Sequence, residues 1–205
     1  IWGFFAQEFT SGTQFLHRGN AFIQYDLETP VHTVFTFFTS MFIHGGFLHI
    51  AGNMMFLWVF GDNIEDKFGH VRYLIFYLVT GIAATLVQWA INTDSQVPLI
   101  GASGAISGVL GAYLVIYPHN KIKALIILYI ITVLEMRAMW LLGAWFAWQL
   151  FQGTISLGMA DSVGVAFFAH IGGFAAGIVL AVGYKLSNHE SLLPIDTRSS
   201  QRWDR

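Results

Sequence analysis

Between Tyr73 and Ile91 the chain runs without one charged side chain. A helix of that length, rising about 1.5 Å per residue, reaches across a hydrocarbon core about 30 Å thick. In such a core every backbone N–H and C=O must find its partner within the chain, which leaves helix or closed barrel as the only spanning forms. The same pattern recurs. Phe47 to Phe60 is apolar and stops at Asp62, Glu65, Asp66 and Lys67, which read as a solvated turn. Gly101 to Tyr117 is closed by Pro118, Met139 to Phe151 is a short span extendable at both ends, and Gly164 to Tyr184 is the last. Ile122 to Leu134 is too short to cross and reads as a cytoplasmic hairpin or interfacial piece. Ile1 to Phe9 is apolar over half a span and reads as the remnant of a truncated first transmembrane helix. Residues 10–46 form a long external or interfacial loop, residues 47–184 the core, and residues 185–205 a polar cytoplasmic tail. The expected fold is all-α, a polytopic membrane helix bundle.

Composition removes most alternatives. Of 205 residues 55% are hydrophobic and 11% charged, against about 25% charged in a soluble domain. A net charge of -2 offers no basic surface for nucleic acid. With no Cys, thiolate metal sites and cysteine nucleophiles are excluded. Chemistry is left to Ser, His, Asn and carboxylates. The chain starts at Ile1 without a basic region before an apolar stretch, so neither a signal peptide nor a natural start is read, and a segment upstream is expected.

Orientation follows from charge. If the spans alternate, Lys67, Arg72, Lys121, Lys123, Arg137, Lys185, Arg198, Arg202 and Arg205 share one side and Arg18 stands alone on the other. That asymmetry makes the tail and the loop after Phe60 cytoplasmic.

Polar side chains inside the spans carry the meaning, because an unpaired one in hydrocarbon is costly. His49 and Asn53 lie four apart on one helical face, Ser103 and Ser107 do the same, and His170 stands alone in the last span; no Asp or Glu occurs within any span. Counted upward from the cytoplasmic ends at Asp62, Tyr117 and Tyr184, His49, Ser103 and His170 each climb about 20 Å. They share one level, about 10 Å below the outer surface, which suggests a water-accessible pocket opening outward. Gly101, Gly104, Gly108 and Gly111 give their helix a face without side chains. Gly173 and Gly177 form a small-xxx-small pair beside His170. Such helices approach closely enough for a short Ser side chain to reach an imidazole.

Ser103 also opens its helix, where the first backbone N–H groups lack partners and the dipole favours negative charge. An oxyanion held there, with His49 and Asn53 as further donors, suits acyl transfer. Ser103 would be the nucleophile and His170 the base.

His49-Ile-Ala-Gly-Asn53, Gly101-Ala-Ser103-Gly104 and Ala169-His170-Ile-Gly-Gly173-Phe-Ala-Ala-Gly177, in this order, closely resemble the motifs of the rhomboid intramembrane serine proteases, over about Val34 to Tyr184. The resemblance implies a six-helix bundle, Ser103 and His170 as the dyad, His49 and Asn53 with Ser103 in the oxyanion hole, and His44 and Gly101 in the same pocket. It also implies no cofactor and no metal. The substrates would be single-pass transmembrane proteins with small or helix-destabilising residues near the cut, met within the lipid bilayer of what reads as a bacterial plasma membrane. Two positions depart from the family. Phe35-Thr36 stands where some members carry Trp-Arg. Ser107 stands where some bacterial members have a Tyr stacked on the base, so the means of holding the His170 imidazole is open.

Other readings weigh against each residue. Ser107 is expected to bond a backbone carbonyl one turn back. His17, His32, His70, His119 and His189 read as surface loops, and Trp89 and Trp140 as interfacial anchors. A non-proteolytic relative that binds membrane clients shares the fold but normally lacks the Ser or the His. A small transporter or channel would use the polar cluster as a solute path, against the absence of intramembrane carboxylates. A zinc protease lacks its His-Glu-x-x-His. The loop around Gly153 to Ser162 has Gly153, Gly158 and small residues that would let it move, and the sequence leaves open whether it closes the pocket.

Overall fold

The computed structural model describes residues 3–12, 17–20, 23–26, 33–95, 97–127, 131–157 and 165–192. In chain order these form α1 (Ala6–Ser11), a hairpin of β1 (His17–Asn20) and β2 (Ile23–Asp26), α2 (Thr33–Thr39) running into a 3-10 turn at Ser40–Phe42, and α3 (Phe47–Phe56). A π turn at Leu57–Gly61 leads into α4 (Asp62–Phe68), followed by α5 (His70–Ile91) and α6 (Ser103–Ile116). The antiparallel hairpin β3 (Lys121–Ile127) and β4 (Ile131–Arg137) precedes α7 (Ala138–Ser156) and α8 (Phe167–Ser187). The fold is a helical membrane bundle. Its outward faces are apolar: Trp58 is 81% exposed, Val71 73% and Val179 68%, a surface that water would not tolerate over so large an area and lipid does.

The helix α6 is the axis of the bundle. Every residue from Ala105 to Tyr113 is buried, as expected for a helix that is apolar all round. Its glycines bring it into backbone contact with α8. A Cβ added at Gly173 would fall on the Gly104 carbonyl oxygen, one at Gly177 on the Gly108 carbonyl and one at Gly111 on the Phe174 carbonyl. On another face, a Cβ at Gly104 would stand 2.7 Å from the Ala84 Cβ, and one at Gly108 would meet Thr80, both residues of α5. Thus α5, α6 and α8 pack closer than ordinary side chains allow.

Among the described residues, only α5 and α8 are each long and apolar enough to cross a membrane alone. The stretches Thr33–Phe42 and Phe47–Phe68 meet that test as a pair bent by 80°. The span expected to stop before Asp62 therefore continues helical to Phe68, because charged residues mark where a helix leaves an apolar layer and need not end it. Gly69, at φ 78°, ends it. The cluster Asp62, Glu65, Asp66 and Lys67 is helical, not a turn. The segment from 122 to 134 folds as a hairpin with Lys121 paired to Arg137 and Lys123 to Glu135 in register. Tyr117 donates to the Asn63 carbonyl, Tyr184 to the Lys67 carbonyl at 2.9 Å, and Lys67 pairs with Glu190 at 2.8 Å. These bonds gather the α4 end of the bundle with the end of α8 and with the segment leading into β3.

Residues 3–12 do not form the end of a crossing helix. Phe4 is extended and bridges to Leu99, with Phe4 N–H donating to the Leu99 carbonyl at 3.0 Å and the reverse at 2.8 Å. The six-residue α1 that follows is closed by Gly12 in the left-handed region, whose N–H reaches the Glu8 carbonyl. Phe4 and Phe37 form an aromatic pair at 4.4 Å. The stretch 10–46, expected to be a long external or interfacial loop, carries α2 and its 3-10 extension, which lead to the bend before α3. Residues 158–162 of the loop around Gly153 to Ser162 and residues 193–205 of the tail lie outside the described residues; positions 153–156 belong to α7 and 185–187 to α8. His32 and Gly164 also lie outside them.

Candidate active site

A fourteen-residue helix is about 21 Å long, against about 33 Å for α5. If the two helices end level on the α4 side, α6 starts about 12 Å short of the far end of α5, and the segment 97–102 must descend to meet it. Irregular backbone is tolerated at that depth only where its polar groups are met by protein or a wet cavity. Here Val97 N–H bonds the Ser95 hydroxyl, Leu99 pairs with Phe4, and Gly101 N–H donates to the Ser40 carbonyl at 2.9 Å. Ala102 N–H points to His44 Nε2 at 3.5 Å. Gly101 sits at φ 115°, a conformation that side chains disfavour. A Cβ there would stand 2.8 Å from the His49 ring.

At the top of this short helix Ser103 Oγ lies 2.8 Å from His170 Nε2 of α8. The other ring nitrogen, Nδ1, lies 2.9 Å from Gln149 Oε1 of α7, and the Trp145 ring is 6.1 Å from the His170 ring. Ala169 N–H, next to His170, donates to Gln88 Oε1 of α5 at 3.1 Å. Two neighbouring helices, α6 and α7, thus hold the imidazole, while α5 holds the backbone beside it. Ser107 turns away and donates to the Ser103 carbonyl at 2.7 Å.

Across the pocket, Gly45 N–H donates to His49 Nδ1 at 3.2 Å. An accepting Nδ1 leaves the proton of a neutral imidazole on Nε2, so His49 presents a donor toward Gly101. The His44 ring packs edge-on to it, centroids 5.1 Å apart. Asn53 is buried and its Nδ2 has no partner among the described residues, a rare condition for an amide. That nitrogen would be 3.8 Å from a Cβ at Gly101. The residues His49, Asn53, Gly101, Ser103 and His170 line one cavity of about 760 Å³.

The Rhomboid domain family matches this chain over residues 31–186. The chain belongs to the rhomboid family. Relatives include RHOMBOID-like protein 5 of Arabidopsis thaliana, 33% identical over 149 residues that cover 69% of this chain and 41% of the relative. Rhomboid protein 1, mitochondrial, of Saccharomyces cerevisiae is 30% identical over 68% of this chain and 39% of its own length. Rhomboid protease GluP of Bacillus subtilis is 37% identical over 40% of this chain and 16% of its own length. The chain thus spans less than half the length of these relatives.

The rhomboid motif residues expected to meet do meet: α3 brings His49 and Asn53, the loop brings Gly101, α6 brings Ser103 and α8 brings His170. His44 contributes through the Ala102 N–H and the His49 ring. Sequence reasoning did not single out Gln149, Gln88 or Trp145. A signal existed for the first two, since each is an amide inside an apolar run, Gln88 between Tyr73 and Ile91 and Gln149 between Met139 and Phe151, and falls under the same rule that pointed to Asn53. Among the described residues no group of three or more His, Cys, Asp or Glu is placed to hold a metal ion.

Proposed function

We propose that this chain is an intramembrane serine endopeptidase that cleaves transmembrane segments of membrane proteins, with Ser103 as nucleophile and His170 as general base. The observation that carries the reading is the 2.8 Å approach of Ser103 Oγ to His170 Nε2 between two helices, beside a buried amide donor without a partner. Family membership, with a relative named as a protease, supports the reaction class.

The reaction runs as acyl transfer. The Ser103 hydroxyl proton passes to His170 Nε2 as Oγ bonds the scissile carbonyl carbon. The oxyanion that forms is met by His49 Nε2–H, Asn53 Nδ2 and the N–H groups of the first turn of α6. The imidazolium then protonates the leaving amine as the C–N bond breaks, leaving an acyl group on Ser103. A water, losing its proton to His170, hydrolyses that ester and restores both groups. The glycine at position 101 leaves the oxyanion space open, since any side chain there would occupy it. The positive-inside asymmetry puts the α4 end in the cytoplasm and opens the pocket to the external side.

The test is labelling of the full chain in detergent with a fluorophosphonate, followed by mapping of the adduct by mass spectrometry. The expected result is one adduct on Ser103. Absence of an adduct, or one elsewhere, would overturn the assignment. Asn53→Ala is expected to lower kcat on a transmembrane reporter by about 10²- to 10³-fold, the usual cost of one oxyanion donor, with KM nearly unchanged. A change confined to KM would remove Asn53 from the oxyanion site.

A further inference from the structure

Gln149 sits near the middle of α7, 7% exposed, and is the sole amide between Met139 and Phe151. Its carbonyl oxygen lies 2.9 Å from His170 Nδ1, while the opposite ring nitrogen faces Ser103. An amide oxygen only accepts, so the bond requires the imidazole proton on Nδ1. A neutral imidazole with its proton there has a bare Nε2 lone pair directed at the Ser103 hydroxyl. The opposite tautomer would place an N–H against the serine oxygen and leave nothing to take its proton. Rotation of the ring would break the same bond.

Resting on the dyad reading above, we propose that Gln149 is the positioning residue of the dyad: a neutral amide that fixes the tautomer and the plane of the His170 imidazole, in the place a carboxylate holds in a Ser-His-Asp triad. During acylation the Ser103 proton moves to Nε2, and the Nδ1 proton stays on His170, donated throughout to Gln149 Oε1. The amide thereby stabilises the imidazolium by its dipole without carrying charge. This suits an apolar setting, where an ionised carboxylate would be costly to keep buried. It also accounts for how the base is held where Ser107, bonded to its own helix, cannot do so.

The experiment compares Gln149→Met and Gln149→Glu in the full chain. Met keeps the volume and removes the acceptor; Glu keeps the acceptor. Gln149→Met is expected to lower kcat by about 10- to 100-fold, the scale of a lost buried hydrogen bond to a group that becomes charged, with KM within twofold and the fluorophosphonate rate falling in step. Gln149→Glu is expected to recover most of kcat and to move the acid limb of the rate-pH profile. A packing role predicts the reverse order, with Met tolerated and Glu not. In parallel, ¹⁵N spectra of histidine-labelled parent protein are expected to show His170 as the Nδ1–H tautomer near neutral pH. An Nε2–H tautomer in the parent, or a Gln149→Met variant with parental kcat, would overturn the proposal. So would equal losses in both variants with the Nδ1–H tautomer intact in Gln149→Met. If Ser103→Ala still cleaves, the dyad reading has failed; if Ser103→Ala is inactive and Gln149→Met is not, only the role of Gln149 has.

Discussion

Ser103→Ala and His170→Ala are each expected to lower cleavage of a reporter transmembrane substrate by at least about 10⁴-fold while the protein still accumulates folded in the membrane. Residues that act as one unit lose nearly the whole effect when either is removed. The double variant Ser103→Ala/His170→Ala should therefore be no slower than the slower single one. The reason is geometric. The hydroxyl on α6 is a poor nucleophile until the imidazole on α8 takes its proton, and no Asp or Glu is placed within the spans to substitute. Folding should survive, because Ser103 Oγ and His170 Nε2 bond chiefly each other, and the α6–α8 contact rests on glycine backbone further down. The measurement pairs cleavage rate with thermal melting in detergent. Additive losses in the double variant, or His170→Ala labelled by fluorophosphonate at the parental rate, would separate the two residues and end the dyad.

Much of the arrangement was legible because a membrane imposes few solutions. Length and charge located α5, α6, α7 and α8 to within a few residues, since an apolar run must be a helix where water is absent. The counting of helical rises put His49, Ser103 and His170 at one level, and Ser103 and His170 do touch. Ser107 bonds the carbonyl one turn back, as expected for a lone hydroxyl in an apolar helix. What the periodicity could not carry was the tertiary role of short segments. Phe4 looked like part of a helix because it lies among apolar neighbours; its observed partner is Leu99, 95 positions away, and no local pattern reports such a pairing. That bridge has a consequence at the site, for it anchors the irregular segment leading to Gly101 and Ser103. The bend of 80° between residues 33–42 and 47–68 was equally invisible, because a hydrophobic tally does not tell a straight span from a folded one. Gln149 was missed for a different reason: a single amide has no motif, and its meaning depends on α7 and α8 facing each other.

The same dependence on close helix approach gives the second large effect. Gly177→Leu is expected to destabilise the bundle by about 3 kcal/mol or more, at the upper end of overpacking costs, while Gly183→Leu in the same helix stays within about 0.5 kcal/mol of the parent or gains slightly from better helix propensity. A Cβ at position 177 would fall on the Gly108 carbonyl oxygen, whereas one at position 183 has nothing among the described residues within 4 Å. The obstacle at 177 is backbone, so it cannot rotate aside as a side chain would. Relief requires α6 and α8 to separate. Separation costs more than packing, since the Ser103–His170 bond spans those two helices and a short serine side chain cannot follow an imidazole that moves away. Activity of any Gly177→Leu protein that does fold should therefore fall further than its folded fraction. Melting temperature, the monodisperse fraction in detergent and cleavage per folded molecule check the three parts. Parental melting in Gly177→Leu would mean that α8 is not seated on the α6 backbone, and the contact that brings nucleophile and base together would lose its physical basis.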